Sequence, residues 1–349
     1  MFKIVKIFSI NILIFIFGIF FIELFFGSWF KDANYSDILI PKKQTNLIDT
    51  FPYPNNNLGI YSRDKYGFRA NTYDLHEVNI LILGGSTTEE REVDDQNIWT
   101  KIYEKNLTNH YKVVNAGIGG QTSFGHKTMF KLWFDKLTNL KPNYIIVYLG
   151  INDALYLVES INNPDFLLDG RKINSSDRDN LVFIKKIDRI TQYIKNNSVF
   201  HNIYLIVKGN ILSNKYKISY NSKPSIFKPY KRKKPENINY LDKDLRTKFQ
   251  KYYYKNLTDI LESSKKYNSE VIFVTQKISS DHWLKKYLGE INSLTLDFCN
   301  IKKIFCININ SNKLKINNKH FYDGIHTTPE GSKLIGLFIA DIFNKKYFY

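Results

Sequence analysis

Cysteine is scarce: the chain has 349 residues and only two cysteines, Cys299 and Cys306. That excludes a disulfide scaffold and any cysteine-rich zinc or iron–sulfur centre. Nothing else in the residue pattern points to a metal or an organic cofactor. The two thiols have six residues between them and are placed equally well to pair or to stay buried and free. Acid is also short, with 33 Asp and Glu against 50 Lys and Arg, a formal net charge of +17. An excess of this sign raises nucleic acid, anionic lipid and acidic glycan as partners. Helix-turn-helix, RNA-recognition and zinc motifs are missing, so no specific nucleic-acid partner is expected. Lysine and asparagine are spread along the whole length, which points to a general compositional bias rather than a binding patch. The P-loop pattern is missing too, as is a GxGxxG followed by a ribose-binding acid. At 43% hydrophobic and 24% charged residues the chain is too apolar to be disordered.

One long hydrophobic run is present. Ile7–Ile22 carries no charge, and the run continues through Phe26 with only Glu23 interrupting it. As a helix rising about 1.5 Å per residue, Ile7–Phe26 spans about 30 Å, the thickness of a bilayer's hydrocarbon core. Trp29 and Phe30 follow, where interfacial aromatics belong. The run is longer than the apolar part of an ordinary signal peptide, and no Ala-x-Ala-like cleavage site follows it. Residues 1–30 are therefore expected to be an uncleaved single-pass membrane anchor rather than a cleaved signal. Lys3 and Lys6 place the N-terminus in the cytoplasm and the body in the periplasm or otherwise outside. Lys31, Lys42 and Lys43 weaken that bias.

From residue 31 to about 76, Pro41, Pro52, Pro54, the Asn55–Asn57 run and Gly59 mark an extended lead-in that packs on the main domain. Residues 77–349 then hold five short β-rich runs: Asn79–Leu83, Lys112–Asn115, Tyr144–Leu149, Val271–Thr275 and Ile304–Ile309. The stretches between them are long enough for crossover helices, which predicts an α/β fold with a parallel sheet. Such sheets bind ligands beyond the carboxyl ends of their strands. An insertion occupies about 156–269, and within it Leu241–Lys266 is helical in composition. The basic, proline-interleaved loop Lys223–Lys234 is either solvated surface or a contact to an anionic glycan or lipid headgroup.

The residues just after the strands carry the chemistry. Gly84-Gly85-Ser86-Thr87-Thr88 puts a hydroxyl on a tight turn at a helix start, where backbone N–H groups face a developing oxyanion. The same string also serves as an ordinary turn and helix cap. Asn115–Thr122 (NAGIGGQT) allows close backbone approach to a ligand. Gly150-Ile151-Asn152-Asp153 brings an amide to the mouth of the same crevice. Asp323-Gly324-Ile325-His326 lets a carboxylate orient an imidazole. Beyond it, Thr327, Pro329 and Glu330 predict a helix opened by a Thr327–Glu330 capping box.

Together and in this order, these blocks resemble the SGNH (GDSL-like) hydrolase family. The resemblance runs from about Asn79 to the C-terminus, and Tyr61–Asn71 (YSRDKYGFRAN) is similar to the lead-in of its membrane-anchored bacterial members. Gly85 stands where the family usually has an acid, and Gln121 where many members carry Asp. The resemblance implies a three-layer αβα fold with a flavodoxin-like central parallel sheet. It also implies Ser86 as nucleophile, His326 as general base and Asp323 as its orienting acid. The oxyanion hole implied comes from the backbone N–H groups of Ser86 and Gly120 with the Asn152 amide, without a metal or cofactor. The expected activity is that of an esterase removing O-acetyl or other short acyl groups from a cell-envelope carbohydrate. A polysaccharide O-acetyltransferase, or a non-catalytic glycan-binding or assembly protein, is the alternative.

Overall fold

The computed structural model describes residues 2–27, 29, 41, 43–49, 58–162, 198–201, 203, 204, 207, 243–311 and 313–349. They fall into two compact units, one made of residues 2–27, 29, 198–201, 203, 204 and 207 and the other of the remainder. In the first unit, helix α1 (Phe2–Phe26) is apolar on every side. Its stretch Val5–Phe26 is long and apolar enough for a signal sequence or a single membrane anchor, and none of it is buried in protein.

The second unit opens with an antiparallel pair, β1 (Gln44–Asp49) and β2 (Leu58–Arg63). The main sheet follows, built from β3 (Ile80–Gly84), β4 (Val113–Asn115), β5 (Tyr144–Tyr148), β6 (Glu270–Val274) and β7 (Cys306–Ile307). Its order is β4-β3-β5-β6-β7 and every pairing is parallel. The chain adds strands first on one side of β3 and then on the other, so a switch point lies between β3 and β5, where such sheets hold their ligands.

The helices of this unit are α2 (Ser86–Glu89), α3 (Trp99–Lys105), α4 (Ser123–Leu132), α5 (Ile151–Asn162), α6 (Lys243–Ser264), α7 (Lys285–Lys302) and α8 (Pro329–Tyr347). Side chains alternate along each strand, so both faces of the sheet need cover. Ile80, Ile82, Ile146, Tyr148, Ile272 and Val274 pack with Trp99 and Tyr103 of α3 and with Ile339 and Phe343 of α8. On the other face Phe273 meets Phe298 of α7 edge-on at 6.0 Å. The αβα layering follows from strands that are apolar at nearly every position, Asn115 of β4 and Glu270 of β6 being the polar ones.

The lead-in from Leu58 enters this core. Arg69 donates its backbone N–H to the carbonyl of Asn115 at 2.8 Å, and Phe68 stacks on Trp133 at 5.2 Å. Cys299 and Cys306 form a disulfide between the end of α7 and β7, which decides between the two thiol states left open above. The start of α8 corrects one expectation. Its cap is Thr328, whose hydroxyl accepts from the N–H of Gly331. Thr327 is buried instead and donates to Glu90, so it is not available for a capping box with Glu330. The Lys223–Lys234 loop lies outside the described residues.

Ile146 sits at the middle of β5, fully buried between two paired strands. Ile146→Ala is expected to lower unfolding stability by about 2–5 kcal/mol, measured by urea denaturation.

Candidate active site

Ser86 is the first residue after β3 and its glycine turn, and the first residue of α2. It is half-buried, with its Oγ 2.8 Å from Nε2 of His326. On the other side of the imidazole, Nδ1 lies 2.6 Å from Oδ2 of Asp323. The second oxygen of Asp323 accepts the backbone N–H groups of Ile325 (2.9 Å) and His326 (2.7 Å), which locks the D-x-x-H turn on itself. The ring of Tyr322 stacks on the imidazole at 5.7 Å, while its hydroxyl donates to Glu92.

Burial pushes the Asp323 carboxyl up, but the His326 ring and the two backbone donors outweigh it and hold it below the ordinary value. Burial pushes His326 down. The hydrogen bond and charge of Asp323, with the charges of Glu92 and Glu90, more than reverse this and leave the imidazole above its usual 6.5.

Asn152 and the glycine loop border the same serine. The Asn152 amide donates to the carbonyl of Gln121 at 2.9 Å, leaving its second N–H. A Cβ on Gly85 would stand 2.6 Å from that amide nitrogen, so the bare backbone at 85 admits this packing. In the loop, the N–H of Gly119 is already given to Glu89 at 2.8 Å. Gly120 is exposed at φ +80°, a conformation that favours glycine. The structure therefore brings Ser86, His326, Asp323 and Asn152 to one place, with the loop carrying Gly120 beside them. Among the described residues no group of three or more His, Cys, Asp or Glu is arranged to hold a metal.

Sequence reasoning missed the layer beneath the site. Glu89 and Glu90 follow Ser86 in α2 and its cap, and both are buried. Glu89 meets the buried guanidinium of Arg63 at 3.0 Å, accepts from the hydroxyl of Tyr61 at 2.9 Å, and pairs with Arg91 at 3.2 Å. Burial alone would raise its pKa, but Arg63 and Arg91 bring it down to about 2. Arg63 also donates to the carbonyl of Gly117 at 2.7 Å, so this pair grips the glycine loop from below.

Glu90 makes no ion pair among the described residues: burial dominates, the charge of Arg69 offsets it only in part, and its pKa is raised to about 7. It accepts from Trp99 N–H at 2.6 Å and from the hydroxyls of Thr327 and Ser332. Gln276, two residues beyond β6, donates to Thr87 at 2.8 Å and accepts from the N–H of Ile151 at 2.6 Å. Asp153, buried and raised to about 7 by that burial, accepts from the N–H and hydroxyl of Ser123. The available signal was the TTEE string directly after Ser86, together with two arginines in the lead-in.

Glu89→Gln leaves Arg63 without its buried anion. It is expected to cost about 3–5 kcal/mol in urea unfolding and to lower ester turnover by loosening the Gly117–Gly120 loop.

A family model described as GDSL-like lipase/acylhydrolase matches residues 80–339. No curated protein matches the chain. Among solved structures it is similar to a member of the lipolytic G-D-S-L family from Veillonella parvula, at 15% identity and a TM-score of 0.42, covering 77% of this chain and 99% of that one. It is similar to the psychrotrophic esterase EstA from Pseudoalteromonas sp., at 15% identity and 0.40, covering 77% and 97%. It is also similar to Est24, a carbohydrate acetylesterase from Sinorhizobium meliloti, at 13% identity and 0.41, covering 77% and 100%. With the family match running from β3 into α8, the chain belongs to the GDSL-like lipase/acylhydrolase (SGNH) family.

Proposed function

We propose that the protein is a serine esterase in which Ser86 is the nucleophile, His326 the general base and Asp323 its orienting partner. The observation that carries this reading is the unbroken hydrogen-bond chain from Ser86 through His326 to Asp323, at 2.8 and 2.6 Å. Nε2 of His326 takes the hydroxyl proton as Oγ of Ser86 attacks the ester carbonyl. The backbone N–H groups of Ser86 and Gly120 and the free N–H of Asn152 meet the oxyanion. The C–O bond to the alcohol then breaks, and His326 returns its proton to the departing oxygen. Water, deprotonated by the same imidazole, cleaves the seryl ester and releases the acid.

We place the substrate among short acyl esters, O-acetyl above all, on a cell-envelope carbohydrate. This rests on reading α1 as an uncleaved anchor with the body outside the cytoplasm. The Cys299–Cys306 disulfide supports that side of the membrane, because such bonds persist in oxidising compartments.

The test is to incubate the full chain in detergent with p-nitrophenyl acetate, with and without an added oligosaccharide, and to follow acetyl by mass spectrometry. An esterase releases acetate in both cases through an adduct on Ser86. Acetyl on the oligosaccharide instead identifies a transferase, and no turnover with no adduct contradicts an enzyme. Ser86→Ala is expected to abolish turnover, and Asn152→Ala to lower kcat by about 10²–10³ with the fold intact.

His326 must be neutral to accept the proton, and its pKa lies above 6.5. The rate kcat/KM should therefore rise with pH along a limb centred above 6.5. Glu92→Gln removes one of the charges that raise His326, and is expected to move that limb to lower pH.

A further inference from the structure

The first unit holds a contact that the esterase chemistry does not use. Glu23 is the one acid in the apolar stretch Val5–Phe26. Its carboxylate accepts the hydroxyl of Ser198 at 2.6 Å, the backbone N–H groups of Val199 (3.0 Å) and Phe200 (3.2 Å), and the indole N–H of Trp29 (3.1 Å). Residues 199–201, 203, 204 and 207 are helical, and Ser198 caps them by accepting from His201 N–H at 3.1 Å. Glu23 thus sits against the positive end of a helix that comes from the insertion, far along the chain.

That helix has an apolar stripe. Phe200, Ile203, Tyr204 and Val207 follow the i, i+3, i+4, i+7 spacing of one face. They are 40%, 48%, 54% and 51% exposed. The neighbouring surface argues for what covers them. The α1 run is equally bare of protein, because lipid surrounds it if α1 is the anchor proposed above. Glu23 lies in the last turn of that run, where hydrocarbon gives way to headgroups, and the stripe starts at the residue whose N–H it holds. A helix pinned at that depth by its N-terminus, with one exposed apolar face, fits the boundary between headgroups and acyl chains.

We propose that the helical residues 199–201, 203, 204 and 207 are a second membrane-contacting element, which lies in the bilayer interface beside the anchor with its stripe of Phe200, Ile203, Tyr204 and Val207 in lipid. The proposal rests on the anchor reading of α1. Interfacial helices of this type bury their apolar face about 5–10 Å into the headgroup–acyl boundary.

The test uses the full chain in phosphatidylethanolamine–phosphatidylglycerol vesicles, carrying an environment-sensitive dye on Ile203→Cys or, separately, on Phe15→Cys. The native thiols are joined to each other, so the dye reacts at the introduced site. The Ile203 dye is expected to shift to the blue and to be quenched more by a spin label near the headgroup than by one at the acyl terminus. The Phe15 dye should show the reverse order. Glu23→Leu should weaken quenching at Ile203 while leaving it intact at Phe15.

A Phe15 dye quenched deep in the bilayer beside an Ile203 dye quenched by neither label overturns the proposal and leaves the anchor standing. A blue-shifted but unquenched Ile203 dye also overturns it, assigning the stripe to a second copy of the chain. Loss of quenching at both positions removes the anchor, and the proposal with it.

Discussion

The 2.8 Å contact between Ser86 and His326 joins residues 240 positions apart, and the second unit is organised around holding it. Ser86 comes from the end of β3, whose direction is fixed by parallel pairing with β4 and β5. His326 comes from the turn before α8, which is packed against α3 and the sheet through Ile339 and Phe343. One residue touches both ends: Glu90 gives its backbone N–H to the Ser86 carbonyl at 2.8 Å, and its carboxylate takes the hydroxyl of Thr327, next to His326. Its left-handed backbone, at φ 45°, stops α2 after one turn and aims that carboxylate at the histidine turn.

The two adjacent acids show how one short helix carries opposite electrostatics. Both are buried, so desolvation raises both, and only the partners differ. Glu89 faces two guanidinium groups and is held as an anion, which lets it accept the Gly119 N–H and fix the glycine loop. Glu90 faces neutral donors and is raised to about 7, where it links hydroxyls rather than charges. The Gly119 N–H is thereby spent on structure, and Gly120 stands beside it at φ +80°. The arginine that makes this possible comes from the lead-in, so that segment is joined to the candidate site through Arg63 and Glu89.

The sheet was legible because its strands are buried on both faces and therefore apolar at nearly every position. Asn79–Leu83 and Tyr144–Leu149 became β3 and β5 nearly residue for residue. The candidate site was legible as a cluster because strand ends and helix starts have a turn chemistry that glycine, serine and asparagine advertise. The supporting layer was not. Nothing local tells a buried Glu90 from a solvated one, since its burial depends on Trp99, Thr327 and Ser332 arriving from elsewhere in the chain. Gln276 is silent for the same reason: its role comes from meeting Thr87 and Ile151 across the sheet. The Thr327 cap failed for a related cause, because tertiary contact with Glu90 took the hydroxyl that local pattern assigned to the helix.

The assignment of Ser86 as nucleophile, activated through His326, is tested most directly by covalent trapping. The full chain would be treated with a fluorophosphonate and the modified peptide mapped by mass spectrometry across a range of pH. The reagent is expected on Ser86 alone, at a rate that rises with pH through the His326 pKa and collapses in His326→Ala. Modification at another residue, or labelling of Ser86 at the same rate without the imidazole, would contradict it.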